Sequence, residues 1–203
     1  EAGARRFVLT STTALYGHAV VAGGCRWIDE DTEPLPRTIY HRSKLQAEAL
    51  AMAAAAPGFS VRVLRMGRCF PEPPERMAMF RLHRGIDARD VASAHAALLL
   101  DDGAAFARYI ACAPTPFRRE DCLELATQPR NVLARRVPQL LAEFERRGWP
   151  LPMSIDRVYD SARLRSELGW QPRFGPYDVL QQYAAGSIEV LPRAQWIKDR
   201  VAE

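Results

Sequence analysis

Two short apolar runs with a helix between them constrain this chain more than any other feature. Arg6 to Ser11 reads Arg-Phe-Val-Leu-Thr-Ser, rich in β-formers and ending in hydroxyls, as a buried parallel strand does where it opens into a loop. Ser60 to Met66, with Val61, Val63 and Leu64, predicts a second buried strand. Between them, Glu30 to Pro36 reads as an acidic, proline-containing loop. Tyr40 to Ala56 predicts a helix of about four turns, with an apolar stripe at Leu45, Ala49 and Met52 and a stop at Pro57-Gly58. Strand, loop, helix, strand is the βαβ rhythm of a doubly wound parallel sheet.

The rest of the chain extends that reading. Asp87 caps a predicted helix over about Ala88 to Leu100, and Asp90 adds a carboxylate where the helix dipole favours one. Ala107 to Cys112 reads as a short strand. From Pro114 the texture changes to arginine-rich helices, about Arg119 to Ala126 and Val137 to Arg147, broken by Pro129, Pro138, Pro150 and Pro152. Asp160 caps a helix ending in Leu168-Gly169-Trp170, where Gly169 has the place of a left-handed cap. The expected fold is α/β: a doubly wound parallel sheet over residues 1–113, followed over residues 114–203 by a small, mainly helical lobe with C-terminal helices.

Composition excludes several classes. The chain has 203 residues and 48% apolar content, enough for one substantial core, and no apolar run approaches the roughly 20 residues needed to span a bilayer. The net charge is only +4 and the arginines are scattered, so neither a nucleic acid nor a membrane is expected as a partner. Cys25, Cys69, Cys112 and Cys122 lack metal or disulfide spacing and read as reduced thiols of a cytoplasmic protein. His18, His41, His83 and His95 form no ligand pattern, so no metal is expected. Trp27, Trp149, Trp170 and Trp196 read as packing residues, and Asp29, Glu30, Asp31 and Glu33 as a solvated loop.

Tyr40-His41-Arg42-Ser43-Lys44 places a phenol and an ammonium on one helix face, about 6 Å apart along the axis. A phenol is a poor base at neutral pH until a nearby ammonium stabilises its phenolate. In isolation this spacing is common on amphipathic helices. It gains weight because Lys44 is one of two lysines among 28 basic residues. It gains more because Thr10-Ser11-Thr12-Thr13-Ala14-Leu15-Tyr16-Gly17 puts a hydroxyl cluster at a strand's carboxyl end, where open α/β sheets bind ligands.

Together these residues resemble the epimerase/dehydratase branch of the extended short-chain dehydrogenases/reductases. The elements are Thr12 to Gly17, the loop Glu30 to Pro36, Tyr40 with Ser43 and Lys44, Val63-Leu64-Arg65 before a loop ending at Pro71, Ile86-Asp87 leading into Asp90-Val91-Ala92, and Leu168-Gly169-Trp170-Gln171-Pro172. The resemblance implies an NAD- or NADP-dependent enzyme in which residues 1–113 are the C-terminal half of a Rossmann-like NAD(P)-binding domain and residues 114–203 a substrate-binding lobe. It implies Tyr40 as acid/base, Lys44 tuning it and bonding the nicotinamide ribose, and Thr12, beside Thr13, holding the reacting oxygen. Gly67, Phe70 and Pro71 would lie near the nicotinamide. The stretch Gly67-Arg68-Cys69-Phe70-Pro71-Glu72-Pro73, followed by Arg76, is similar to sugar-acid (uronate) dehydrogenases, which makes Arg68 and Arg76 candidates to grip a substrate carboxylate.

The family's glycine fingerprint has no counterpart, since Gly23-Gly24 stands in the wrong place. With Glu1 as first residue, this predicts a piece of a longer polypeptide, inactive by itself. The implied reaction is hydride transfer at a hydroxyl-bearing carbon of a sugar, sugar acid or sugar nucleotide, as an epimerase or a dehydrogenase, with a homodimer allowed. Thr13-Ala14 stands where dehydratases of the family carry Asp-Glu, which disfavours dehydration. The rival expectation is a truncated relative that acts as a non-catalytic binding module; a nucleic-acid binder rests on basic pI alone.

Overall fold

The computed structural model describes residues 3–17 and 24–192; His18, Gly23, Trp196 and Lys198 lie outside them. Its centre is a three-stranded parallel sheet in the order β1-β3-β4, formed by β1 (Arg6–Thr12), β3 (Ser60–Met66) and β4 (Phe106–Ala111). Helix α1 (Ile39–Ala54) connects the first pair, and α2 (Pro74–Phe80) with α3 (Ala88–Leu100) the second. The expected α/β fold with a parallel sheet is what the chain adopts.

Successive residues of a strand face opposite sides of its sheet, and β3 uses this to separate two interiors. Leu64 packs with Ile86, Ala94, Leu98, Tyr109 and Trp170 in an apolar cluster under α3. Arg65 faces the other way, into α1, where it meets Glu48. The apolar stripe expected on α1 is therefore corrected: Ala49 is exposed, Met52 is 48% exposed and Leu45 is half-buried, while Glu48 and Ala51 are the buried residues. A carboxylate can take a core position because Ser11 Oγ and the Arg65 guanidinium donate to it and Arg108 Nε lies 3.2 Å away.

The second part of the chain holds α4 (Cys122–Thr127), α5 (Pro129–Arg136), α6 (Pro138–Arg146), β5 (Arg157–Tyr159), α7 (Ala162–Leu168) and α8 (Pro176–Ala184). Pro129 and Pro138, read from sequence as breaks, are the first residues of helices, where a missing N–H costs nothing. A further strand, β2 (Arg26–Ile28), pairs in parallel with β5 and ties the two parts of the chain together. Met77, Leu125, Val132, Leu140, Phe144, Trp149 and Val179 form the core of the helical part.

Two acidic residues differ from their sequence reading. Asp90 does more than face a helix dipole: it is 1% exposed and accepts from the backbone N–H groups of Arg173 and Phe174 at 2.9 and 3.0 Å, fastening the chain beyond α7 onto α3. Glu30 is buried rather than solvated, accepts from Ile110 N–H at 2.8 Å, and is pushed up by that burial. Asp87 caps α3 as expected, through Arg89 N–H, and Gly169 ends α7 at φ 65°. Among the described residues no helix is long and apolar enough to cross a membrane, and no cluster of metal-ligating side chains occurs.

Candidate active site

The carboxyl ends of β1 and β3 open onto a cleft of about 320 Å³. It forms because both strands stop together, Thr12 opposite Met66, and the chain leaves each in a different direction. After β1 it tightens into a 3-10 turn over Thr13–Tyr16, capped by Thr12, whose Oγ1 accepts from Ala14 N–H at 3.1 Å. That bond uses a lone pair and leaves the hydroxyl proton free to donate. Thr12 and Thr13 both line the cleft, and Thr13 is buried.

Helix α1 brings the Tyr40 and Lys44 side chains to the same cleft from its first turns. Thr38 supplies the N-cap, accepting from His41 N–H at 3.2 Å. Tyr40 is 51% exposed. Lys44 reaches back across the sheet end, where Nζ donates to the Thr10 carbonyl at 3.1 Å. One turn further along, the buried Glu48–Arg65 pair anchors the helix, and Arg65 also donates to the hydroxyl of the fully buried Tyr16. Burial pushes the Tyr16 phenol up to about 12, so it stays protonated.

After β3, Gly67 bonds to Ala111 O at 2.8 Å, and Arg68 pairs with the chain at Gly85. A Cβ on Gly67 would stand 2.7 Å from both Arg84 O and Cys112 Sγ, and one on Gly85 would stand 2.9 Å from the Phe80 backbone. Glycine is required at both places by close approach of backbone, which fixes the 67–70 and 84–86 segments side by side. Gly67, Arg68, Phe70 and Arg76 line the cleft; Pro71 is exposed and is not among its lining residues.

The walls are cationic. Lys44, Arg68, Arg76, Arg84 and Arg157 line them, and no carboxylate does among the described residues. Arg68 spans both oxygens of the buried Glu72 at 2.8 and 2.9 Å, and Arg76 Nε is 3.4 Å from the same carboxylate. The Phe80 ring lies within 5.6, 5.4 and 3.9 Å of the Arg68, Arg76 and Arg84 guanidinium carbons. Phe80, Arg84, Arg157 and Tyr159 belong to this wall and were not found from sequence. Arg84 is one arginine among many, and β5 is three residues long and too short for a periodic signal.

Residues 1–78 match the sequence model of the NAD dependent epimerase/dehydratase family. No curated protein matches the chain. Among solved structures, RMD from Pseudomonas aeruginosa complexed with NADPH is 22% identical at TM-score 0.52, over 88% of this chain and 64% of that one. The Bordetella bronchiseptica enzyme WbmG in complex with NAD and UDP is 16% identical at TM-score 0.57, over 95% and 64%. MoeE5 in complex with UDP-glucuronic acid and NAD is 21% identical at TM-score 0.56, over 89% and 64%. The chain spans less than two thirds of the length of these structures, and the likeness is one of fold.

Proposed function

From the match of residues 1–78 to the sequence model of the NAD dependent epimerase/dehydratase family, we propose that this cleft is the proton-transfer half of an NAD(P)-dependent oxidoreductase or epimerase acting on a sugar-type hydroxyl. The observation that carries the reading is that Thr12, Tyr40 and Lys44, distant in sequence, line one cleft at the carboxyl ends of parallel strands. In this reading Tyr40 takes the proton of a substrate hydroxyl or returns it to a carbonyl, Thr12 orients that oxygen by donating its free hydroxyl proton, and the Lys44 ammonium stabilises the phenolate.

The donor set fits the nicotinamide end of the cofactor. Lys44 keeps N–H donors for ribose hydroxyls beyond its bond to Thr10 O, and Gly67 and Phe70 offer backbone and ring surface beside it. A nicotinamide bound there supplies hydride acceptance and return. The described residues hold no glycine-rich turn from strand to helix for a pyrophosphate, so tight cofactor binding by these residues alone is not expected.

Titration of the polypeptide expressed from its intact reading frame with NAD and NADP, followed by a panel of uronates, aldoses and nucleotide sugars read at the reduced-nicotinamide absorbance, tests the reading. Absence of binding to either cofactor leaves the non-catalytic binding module in its place. Net cofactor reduction marks a dehydrogenase, whereas epimerised product without it marks an epimerase.

A further inference from the structure

We propose that Arg84 is the anion-binding residue of this cleft, receiving a carboxylate or phosphate ester of the substrate on its guanidinium. The inference rests on reading the cleft as a sugar site. It differs from the sequence expectation that Arg68 and Arg76 do this work, and the reason is which cations are already matched. Arg68 and Arg76 share the Glu72 carboxylate. Arg157 spans both oxygens of Asp156 at 3.0 and 2.6 Å. Lys44 is bonded to the Thr10 carbonyl. Arg84 makes no ion pair among the described residues, and its Nε is buried with no hydrogen-bond partner.

An N–H donor held in that condition is costly, because a desolvated charged donor without an acceptor forfeits the bond it made to water. Burial holds the Arg84 guanidinium below the ordinary arginine range, with the nearby Asp156 carboxylate opposing that shift and the Arg157 charge adding to it, and an incoming anion acts in the same direction as Asp156. The surroundings keep it in place. Its backbone is fixed by Phe80 O, which accepts from Arg84 N–H at 2.8 Å, and by Arg68 N–H, which donates to Arg84 O at 2.8 Å. Its guanidinium carbon sits 3.9 Å from the Phe80 ring centroid, a contact that uses the π face of the cation and leaves its terminal in-plane N–H donors for the cleft that Arg84 lines. A planar fork of this kind, in a cleft whose described lining carries no competing carboxylate, suits a two-oxygen anion.

Binding of glucuronate, glucose 1-phosphate and glucose to the purified chain, measured by calorimetry without cofactor, tests this directly. The wild type is expected to bind at least one of the two anions about 10- to 100-fold more tightly than glucose, the range of a hydrogen-bonded charge; the tighter anion identifies the group. In Arg84→Gln that preference should fall to within about threefold, with glucose binding unchanged. Arg84→Met carries the same expectation if the glutamine variant does not fold. A preference that survives loss of Arg84, equal binding of all three probes, or no binding of either anion overturns the proposal. Cofactor titration is judged separately: an anion preference erased by Arg84→Gln without NAD(P) binding removes the oxidoreductase reading and leaves the subsite standing.

Discussion

The Glu48 carboxylate and the Arg65 guanidinium, each 1% exposed, meet at 2.6 Å between α1 and β3, one helical turn beyond Lys44. The strut fixes the helix that carries Tyr40 and Lys44 against the sheet that carries Thr12. Removing one partner strands the other charge in the interior, so Glu48→Leu should cost about 3 to 5 kcal/mol. The double variant Glu48→Leu with Arg65→Met should be less destabilised than the sum of its singles, since it removes both charges together. Urea denaturation of the four proteins measures this, and additive losses would show that the two residues act independently.

Tyr40 offers the opposite case. It is half exposed, and its ring has one aromatic neighbour among the described residues, His41. Tyr40→Phe should change stability by no more than about 0.5 kcal/mol. If Tyr40 moves the substrate proton, the same change should lower kcat about 10²- to 10⁴-fold. Full turnover in Tyr40→Phe would remove it from the mechanism.

The elements that sequence disclosed and those it hid divide along physical lines. β1, β3, α3 and the cleft residues Thr12, Tyr40 and Lys44 were legible because local composition marks them: apolar runs, a capping aspartate, and a lysine in an arginine-rich chain. Glu48, Glu30 and Asp90 were illegible as core residues because each is satisfied by partners distant in the chain, at Arg65, Ile110 and Arg173. Periodicity scores a buried carboxylate as surface, and on α1 it selected Ala49 and Met52 instead. Helix α5 was hidden by Pro129, which signals a start as readily as a stop. The Arg68 and Arg76 pair was visible, but Glu72 between them was not read as their shared partner.

Two glycines should respond to alanine for different reasons. Gly67 has ordinary φ but no room, since its added Cβ would stand 2.7 Å from Arg84 O and Cys112 Sγ. Gly67→Ala should cost about 2 to 3 kcal/mol through backbone displacement and disturb the cleft. Gly169 has room, with nothing within 4 Å, but sits at φ 65°. Gly169→Ala should cost about 1 kcal/mol through strain alone. Thermal denaturation of both, with ligand binding measured on each, separates the two causes: binding should weaken in the first and persist in the second.

His83 should give the chain an acid-sensitive limb above the carboxylate range. It is buried, its Nδ1 lies 2.9 Å from the Arg157 carbonyl, which assigns the Nδ1–H donor to a neutral ring. Burial first, and the Arg84 charge second, push it down to about 3. An unfolded histidine titrates near 6.5, so between about pH 6.5 and 3 the unfolded chain holds the extra proton. Stability is therefore full above that window and falls as pH drops through it. The loss between pH 7.5 and 5 should be about 2 kcal/mol from this residue. Glu30, raised by burial, opposes the trend. Asp29, Asp87, Asp121 and Asp156 are held low by arginine partners despite their burial, so their own losses begin at lower pH. Urea denaturation at a series of pH values should show this limb in the wild type and a flatter one in His83→Gln, whatever that variant loses at neutral pH; parallel curves would mean that His83 is protonated in the fold.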